Sequence, residues 1–178
     1  MSKNIVVLSG SPRESGNTDK LAAAFIEGAE SAGKAVTLFR VADMDIGGCL
    51  GCRHCFNNNR VCIQKDDMPQ ILDVIRQADT LVLASPIYFF TITAQLKLAI
   101  DRTYALLGPT HPVKRAALLI TYGRGTDAAE GAEVMFKNMC RHLKWENAGA
   151  VIAGGLGGKD DIAGRSELEE ARELGRRI

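Results

Sequence analysis

Charge of one sign is the first thing this sequence lacks. Its 22 Lys and Arg offset 21 Asp and Glu, leaving a net charge of +1. No basic run exceeds two residues, so nucleic acid and anionic membrane surfaces are not expected as partners. No apolar stretch approaches the roughly 20 residues that a membrane-spanning helix needs. The N-terminal residues read as a core strand rather than a charged and apolar leader, so no signal peptide is expected. Nor is a catalytic triad: the three histidines, His54, His111 and His142, have no Ser and Asp in a supporting context. His54 and His142 read as solvated, and His111 as a surface loop residue. No internal repeat or low-complexity tract is found. A chain of 178 residues with 46% apolar and 24% charged residues suits one domain, residues 1–178, with a substantial core.

Two phosphate-binding signatures are also missing. There is no Gly-Lys-Ser/Thr to end a Walker A loop, and no G-x-G-x-x-G dinucleotide fingerprint. What stands in their place is Ser9-Gly10-Ser11-Pro12-Arg13-Glu14-Ser15-Gly16-Asn17-Thr18. It lies between the apolar run Ile5–Leu8 and an amphipathic segment carrying Leu21, Phe25, Ile26 and Ala29. Strand, polar loop, helix is the implied order. Hydroxyls and amides at a helix N-terminus bind a phosphate dianion that the helix dipole favours, and Arg13 adds a bidentate donor. A simple helix cap at Ser15 or Asn17 needs one polar side chain, not this concentration of them. The loop suits a terminal phosphate monoester such as that of FMN.

Apolar runs then alternate with helical periodicity. Strands are expected at Asn4–Ser9, Ala35–Val41, Thr80–Ala84, Ala116–Tyr122 and Ala148–Ala153. Their Val, Ile, Leu and Ala content shows little alternation, as in a parallel sheet covered on both faces. Helices are expected at 17–32, 68–78 (with Asp67 and Gln70 as a capping box), 93–107, 127–144 and about 167–177 (capped by Ser166 and Glu169). Five β-α units with right-handed crossovers make a three-layer, doubly wound α/β fold. It is flavodoxin-like, with a five-stranded parallel sheet in the order 2-1-3-4-5. The ligand crevice of such a sheet lies at the C-terminal ends of strands one and three. The segment after strand three, Ser85-Pro86-Ile87-Tyr88-Phe89-Phe90, offers a stiff start and three consecutive aromatics to a planar ring. Covering the core, or an interface between copies, is the other use of Phe89 and Phe90. Thr121-Tyr122-Gly123-Arg124-Gly125 follows strand four, with glycines that allow backbone to approach a ligand.

Five cysteines are present, and four of them fall in the irregular stretch 42–66 as C-x2-C-x2-C-x6-C: Cys49, Cys52, Cys55 and Cys62. This clustering points to a metal or redox group in a reducing cytoplasm, not to a disulfide framework. Four thiolates can surround a 4Fe–4S cluster. Zinc and unmetallated redox thiols remain open as alternatives. The last gap and Ile63 after Cys62 differ from the bacterial ferredoxin spacing, which ends in Cys-Pro. Cys140 stands apart and is expected to pack as a small apolar residue.

Gly-Ser-Pro-Arg-x-x-Gly-Asn-Thr at 10–18 resembles the phosphate loop of the NADPH-dependent FMN reductase family. Ser85-Pro-Ile-Tyr, Thr93-Ala-Gln-Leu-Lys97 and Asp101-Arg102 resemble its second signature. The cysteine loop with Asp66-Asp67-Met68 is similar to the iron–sulfur flavoprotein branch. The resemblance implies bound FMN reduced by NAD(P)H and electrons passed to a small-molecule or protein acceptor. It further implies a homodimer or tetramer with the flavin near a subunit contact. It would make Ser9, Ser11, Arg13, Ser15, Asn17 and Thr18 the phosphate ligands. Pro86, Ile87, Tyr88, Phe89 and the loop Thr121, Tyr122, Gly123 would touch the ring. Asp101 and Arg102 would be structural, and no side chain is assigned as catalytic because the cofactor carries the chemistry. An electron-transfer protein using a cluster on the four cysteines is the first alternative. A non-enzymatic flavodoxin-like carrier is the second, although such carriers are usually strongly acidic and this chain is not.

Overall fold

The computed structural model describes residues 4–108, 112–125 and 127–178. His111 lies outside them. Five parallel strands form the sheet: β1 (Asn4–Ser9), β2 (Ala35–Arg40), β3 (Thr80–Tyr88), β5 (Arg115–Thr121) and β6 (Glu146–Ala153). Their order is β2-β1-β3-β5-β6. Counting only these five, that is the expected 2-1-3-4-5. The sixth strand, β4 (Thr91–Ile92), pairs antiparallel with the end of β3 and was not expected. It forms because β3 runs four residues beyond the expected Ala84, as far as Tyr88.

Successive residues of a strand face opposite sides of the sheet, and the two sides here are two separate cores. Ile5, Val7, Val82, Ala84, Ala117 and Leu119 pack beneath α1 (Asn17–Ser31) and α6 (Ser166–Arg177). Val6, Leu8, Leu81, Leu83, Ala116 and Leu118 pack beneath α3 (Met68–Ile75), α4 (Ala94–Arg102) and α5 (Glu130–Leu143). Both faces are therefore apolar, which is why the strands show no clean alternation in sequence. A short α2 (His54–Asn57) sits inside the cysteine loop, and one 3₁₀ turn, Thr103–Leu106, continues α4. No helix among the described residues is long and apolar enough to cross a membrane.

Two helix starts differ from the expected caps. Asp67 is the N-cap of α3 but makes no side-chain cap bond. The Met68 amide instead donates to Asp66 Oδ1 at 3.1 Å, one residue earlier than a capping box requires. At α6 the N-cap is Arg165, again without a side-chain cap bond, and Ser166 is already helical.

α1 and α6 lie backbone against backbone. A Cβ on Gly28 would come within 2.0 Å of the Arg172 carbonyl oxygen, and one on Gly175 within 2.1 Å of the Phe25 carbonyl oxygen. Lys34 clips the C-terminal end of α6 through its carbonyls, donating to Gly175 O at 2.8 Å and Arg176 O at 2.6 Å.

Candidate functional site

A cavity of about 370 Å³ opens at the C-terminal ends of β1, β3 and β5, where the ligand crevice of this sheet order lies. One end is polar and is built on the start of α1, with Ser11, Arg13, Gly16, Asn17 and Thr18 on its wall. No side chain caps this helix, so its first amides remain available to an anion. The loop keeps its shape through its own hydroxyls. Ser11 Oγ donates to the Arg13 carbonyl and accepts from the Arg13 amide, both at 3.2 Å. Thr18 and Thr121 share a buried hydroxyl–hydroxyl bond of 2.7 Å, which joins the first loop to the end of β5.

Asn17 spends its side chain on structure. Its Nδ2 donates to the Gly158 carbonyl at 2.7 Å and its Oδ1 accepts from the Ile162 amide at 3.3 Å. Those bonds draw the segment after β6 up to the cavity, where Leu156 and Gly157 complete the wall. Ser9 and Ser15, expected as phosphate ligands, do not line it. The Ser9 hydroxyl turns to Asp19, which accepts from Ser9 Oγ at 3.3 Å and from the Ser15 backbone amide at 2.9 Å. Arg40 of β2 pairs with that same carboxylate. Ser15 holds a positive φ of 53°, and the bond from its amide to Asp19 secures that conformation. The hydroxyl count in the sequence was thus a mixture of wall and scaffold.

The other end of the cavity is apolar and aromatic: Pro86, Ile87, Tyr88, Tyr122 and, from the β6 side, Leu156. Behind the loop, a Cβ on Gly10 would lie 2.5 Å from both Leu96 Cβ and Thr93 Oγ1. Only glycine fits there, and the Gly10 carbonyl accepts from Thr93 Oγ1 at 2.8 Å. Thr93 is the N-cap of α4, and its own amide donates to Ser85 Oγ at 3.0 Å. The phosphate-type loop, the end of β3 and the start of α4 are therefore one hydrogen-bonded unit. Phe89 does not reach this cavity. It lines a neighbouring one with Phe90, because Phe89 and Phe90 form the two-residue tip joining β3 to β4. Arg124, Gly16, Leu156 and Gly157 belong to the wall and were not anticipated. The first two lay inside motifs already singled out. The last two lie in the glycine-rich stretch 154–158, which the sequence offers as a mobile loop or lid after the last strand and not as a wall of the site.

The four clustered cysteines are all free, and all four line a small cavity of about 20 Å³ with Arg102. Cys49 and Cys52 are exposed, Cys55 is buried and Cys62 is half-buried. Among the described residues no three His, Cys, Asp or Glu groups converge as metal ligands do. The donors therefore suit a thiolate-bound metal in kind but are not gathered around a common point.

A buried ion pair helps to tie the loop down. Arg102 donates to both oxygens of Asp66, at 2.6 and 2.9 Å, and to the Gly47 carbonyl at 2.8 Å. Asp66 also accepts from the Gly47 amide at 3.0 Å. The bond from Arg102 holds the Asp66 carboxyl below the usual carboxylate range, against the opposing effect of burial. Cys140 is buried in the core, and desolvation pushes its thiol up to about 11. It packs as a small apolar group.

Residues 3–155 match the model of the NADPH-dependent FMN reductase family. The chain belongs to that family. An iron-sulfur flavoprotein of Archaeoglobus fulgidus is 32% identical over 171 residues, covering 95% of this chain and 76% of the relative. Another, from Methanocaldococcus jannaschii, is 34% identical over 102 residues, covering 57% of this chain and 52% of the relative. In fold, the chain is similar to an NAD(P)H:quinone oxidoreductase from Methanothermobacter marburgensis. That match has a TM-score of 0.76 at 21% identity and covers 99% and 96% of the two chains. An FMN-dependent NADH-azoreductase of Bacillus anthracis, solved in complex with FMN, superposes with a TM-score of 0.73 at 17% identity, covering 98% and 99%. Membership of that family makes the chain a flavin-dependent oxidoreductase, and the solved structures share its fold.

Proposed function

We propose that the protein binds FMN in the 370 Å³ cavity and uses it to oxidise NAD(P)H and reduce a second substrate. The observation that carries this is the division of one cavity into an uncapped helix start beside Arg13 and an apolar, aromatic end. Its volume lies within the range of roughly 300–1,000 Å³ typical of cofactor sites, and its two ends suit a phosphate and a planar ring. When bound, FMN supplies the capacity to accept a hydride and return two electrons. Overall, NAD(P)H, a proton and an acceptor yield NAD(P)⁺ and the doubly reduced, protonated acceptor.

The chain's own part is binding and orientation. The amides at the start of α1 and the Arg13 guanidinium hold a phosphate. Ser11 keeps the loop in shape to do so. Pro86, Ile87 and Tyr88 on one side and Tyr122 and Leu156 on the other enclose a ring and exclude water from it. The expected result is preference for FMN over riboflavin by about a hundredfold, two charge-assisted contacts' worth. Arg13→Ala should narrow that preference about tenfold. Quenching of flavin fluorescence measures both, and equal affinity for FMN and riboflavin would refute the assignment of the polar end.

A second reading is favoured by the four thiols on one cavity wall and by the names of the curated relatives. In it Cys49, Cys52, Cys55 and Cys62 hold an iron–sulfur cluster, which supplies one-electron steps. Protein purified without oxygen should then contain iron and sulfide and show a broad visible absorption beneath the flavin bands. Clean flavin bands that bleach with NADPH, without iron, would leave the plain reductase standing alone.

A further inference from the structure

A second cavity, of about 340 Å³, adjoins the first. The two share a wall of Ile87, Tyr122, Gly123 and Arg124. Phe89 and Phe90 close the far side. Core packing explains neither ring: Phe89 is 99% exposed and Phe90 72%. Backbone preference does not explain them either. Both sit at positive φ, 48° and 66°, in a two-residue hairpin tip, where Asn-Gly is the favoured pair. Arg124 is exposed, and no described hydrogen bond or ion pair engages its side chain. Two bare aromatic faces and an unpaired guanidinium thus meet around one space next to the proposed FMN site.

Aromatic faces offer stacking to a planar ring. A guanidinium offers a two-pronged contact to a carboxylate, sulfonate or phosphate. We propose that this second cavity is a subsite for a planar aromatic group carrying an anion, with Phe89 and Phe90 supplying the stack and Arg124 the charge. The proposal rests on the FMN reading, since the shared wall is what places the bound group beside the flavin. Two sources share this chemistry. One is an aromatic electron acceptor with an acidic substituent. The other is the adenosine 2′-phosphate that distinguishes NADPH from NADH.

The test compares wild type and Arg124→Gln, with FMN in excess, in steady-state turnover. The acceptors are 1,4-naphthoquinone and its 2-sulfonate, and the donors are NADH and NADPH. If the acceptor is the source, kcat/KM for the sulfonate relative to the neutral quinone falls about tenfold in the variant, one charge-assisted contact's worth. If the nucleotide is the source, kcat/KM for NADPH relative to NADH falls by that factor instead. Each ratio is taken within one flavoprotein, so any change in FMN affinity cancels. If neither ratio moves, the subsite is overturned.

A second measurement needs no turnover. Binding of 2-naphthalenesulfonate to the purified protein, followed by NMR titration, should weaken several-fold in Arg124→Gln and again in Phe90→Ala. Sulfonate binding that depends on Arg124 in a protein without turnover would refute the oxidoreductase reading and leave the subsite intact. Binding indifferent to both substitutions would overturn the subsite.

Discussion

Replacing Phe89 and Phe90 together by Asn and Gly is expected to stabilise the protein, by about 2 kcal/mol, because each non-Gly residue in the left-handed region costs about 1–2 kcal/mol. The tip joins Tyr88 to Thr91, which pair across the hairpin, and both tip residues have positive φ. That is the signature of a type I′ turn, in which Asn-Gly meets no steric penalty. Little apolar burial is lost in exchange, since both rings face solvent. For a protein of this size the gain corresponds to a rise of about 4–8 °C in melting temperature. Thermal unfolding followed by circular dichroism reads it directly. A lower melting temperature would show that the two rings contribute packing the exposed surface does not reveal. The same variant should lose the aromatic half of the proposed subsite, so the gain in stability is expected to come with weaker sulfonate binding. Strain kept where it harms stability is the pattern found at functional sites.

Breaking the Arg102–Asp66 pair should have the largest effect in the opposite direction. The Arg102 side chain is 1% exposed and that of Asp66 10%, and the contact is bidentate. Arg102→Met leaves a buried carboxylate without its counter-charge, and the expected loss is about 3–5 kcal/mol. Asp66→Asn in the same background should recover part of it, because the pair is then removed as a unit. Urea unfolding of the two variants separates these outcomes, and equal losses in both would remove the ion pair as the cause.

The pH dependence follows from the direction of the Asp66 shift. Its carboxyl is held low by the bond from Arg102. The stabilisation is therefore complete above the unfolded carboxylate value of about 3.9 and is lost as pH falls through the lower, folded value. Wild type should weaken under acid below that point, and Asp66→Asn should show a shallower dependence. The pair also draws the two ends of the cysteine loop together at Gly47 and Asp66. Cys55, now buried, should accordingly react with a thiol reagent sooner in Arg102→Met.

The parts of this molecule that were legible in the sequence are those that local chemistry dictates. Runs such as Ile5–Leu8 and Leu81–Ala84 are apolar on both faces, and only a parallel sheet between helical layers accepts that. The polar loop between β1 and α1 advertises its anion site through composition alone. Other features depend on partners distant along the chain. Ser9 looks like its neighbour Ser11, and it is the position of Asp19, braced by Arg40 from the next strand, that takes its hydroxyl away from the cavity. Asp66 and Arg102 are 36 residues apart and follow no periodicity that would pair them. The Phe-Phe tip was read for its rings and not for its backbone, because turn recognition relies on Asn and Gly and this turn has neither. Leu156 and Gly157 were missed because it is Asn17, 141 residues away from Gly158, that brings them to the cavity.

The glycine contact between α1 and α6 bears on how the chain is born. The helix that begins at the polar end of the cavity ends at Ser31, whereas the helix that packs against its backbone begins at Ser166, so the first is made well before the second. At about 5–20 residues per second, α1 waits on the order of ten seconds for that partner. Throughout the interval the face carrying Leu21 and Phe25, buried in the finished protein, lacks the cover that Ala171 and Leu174 of α6 supply. Until α6 docks, the growing chain therefore carries an apolar stripe on α1 that invites association with other chains.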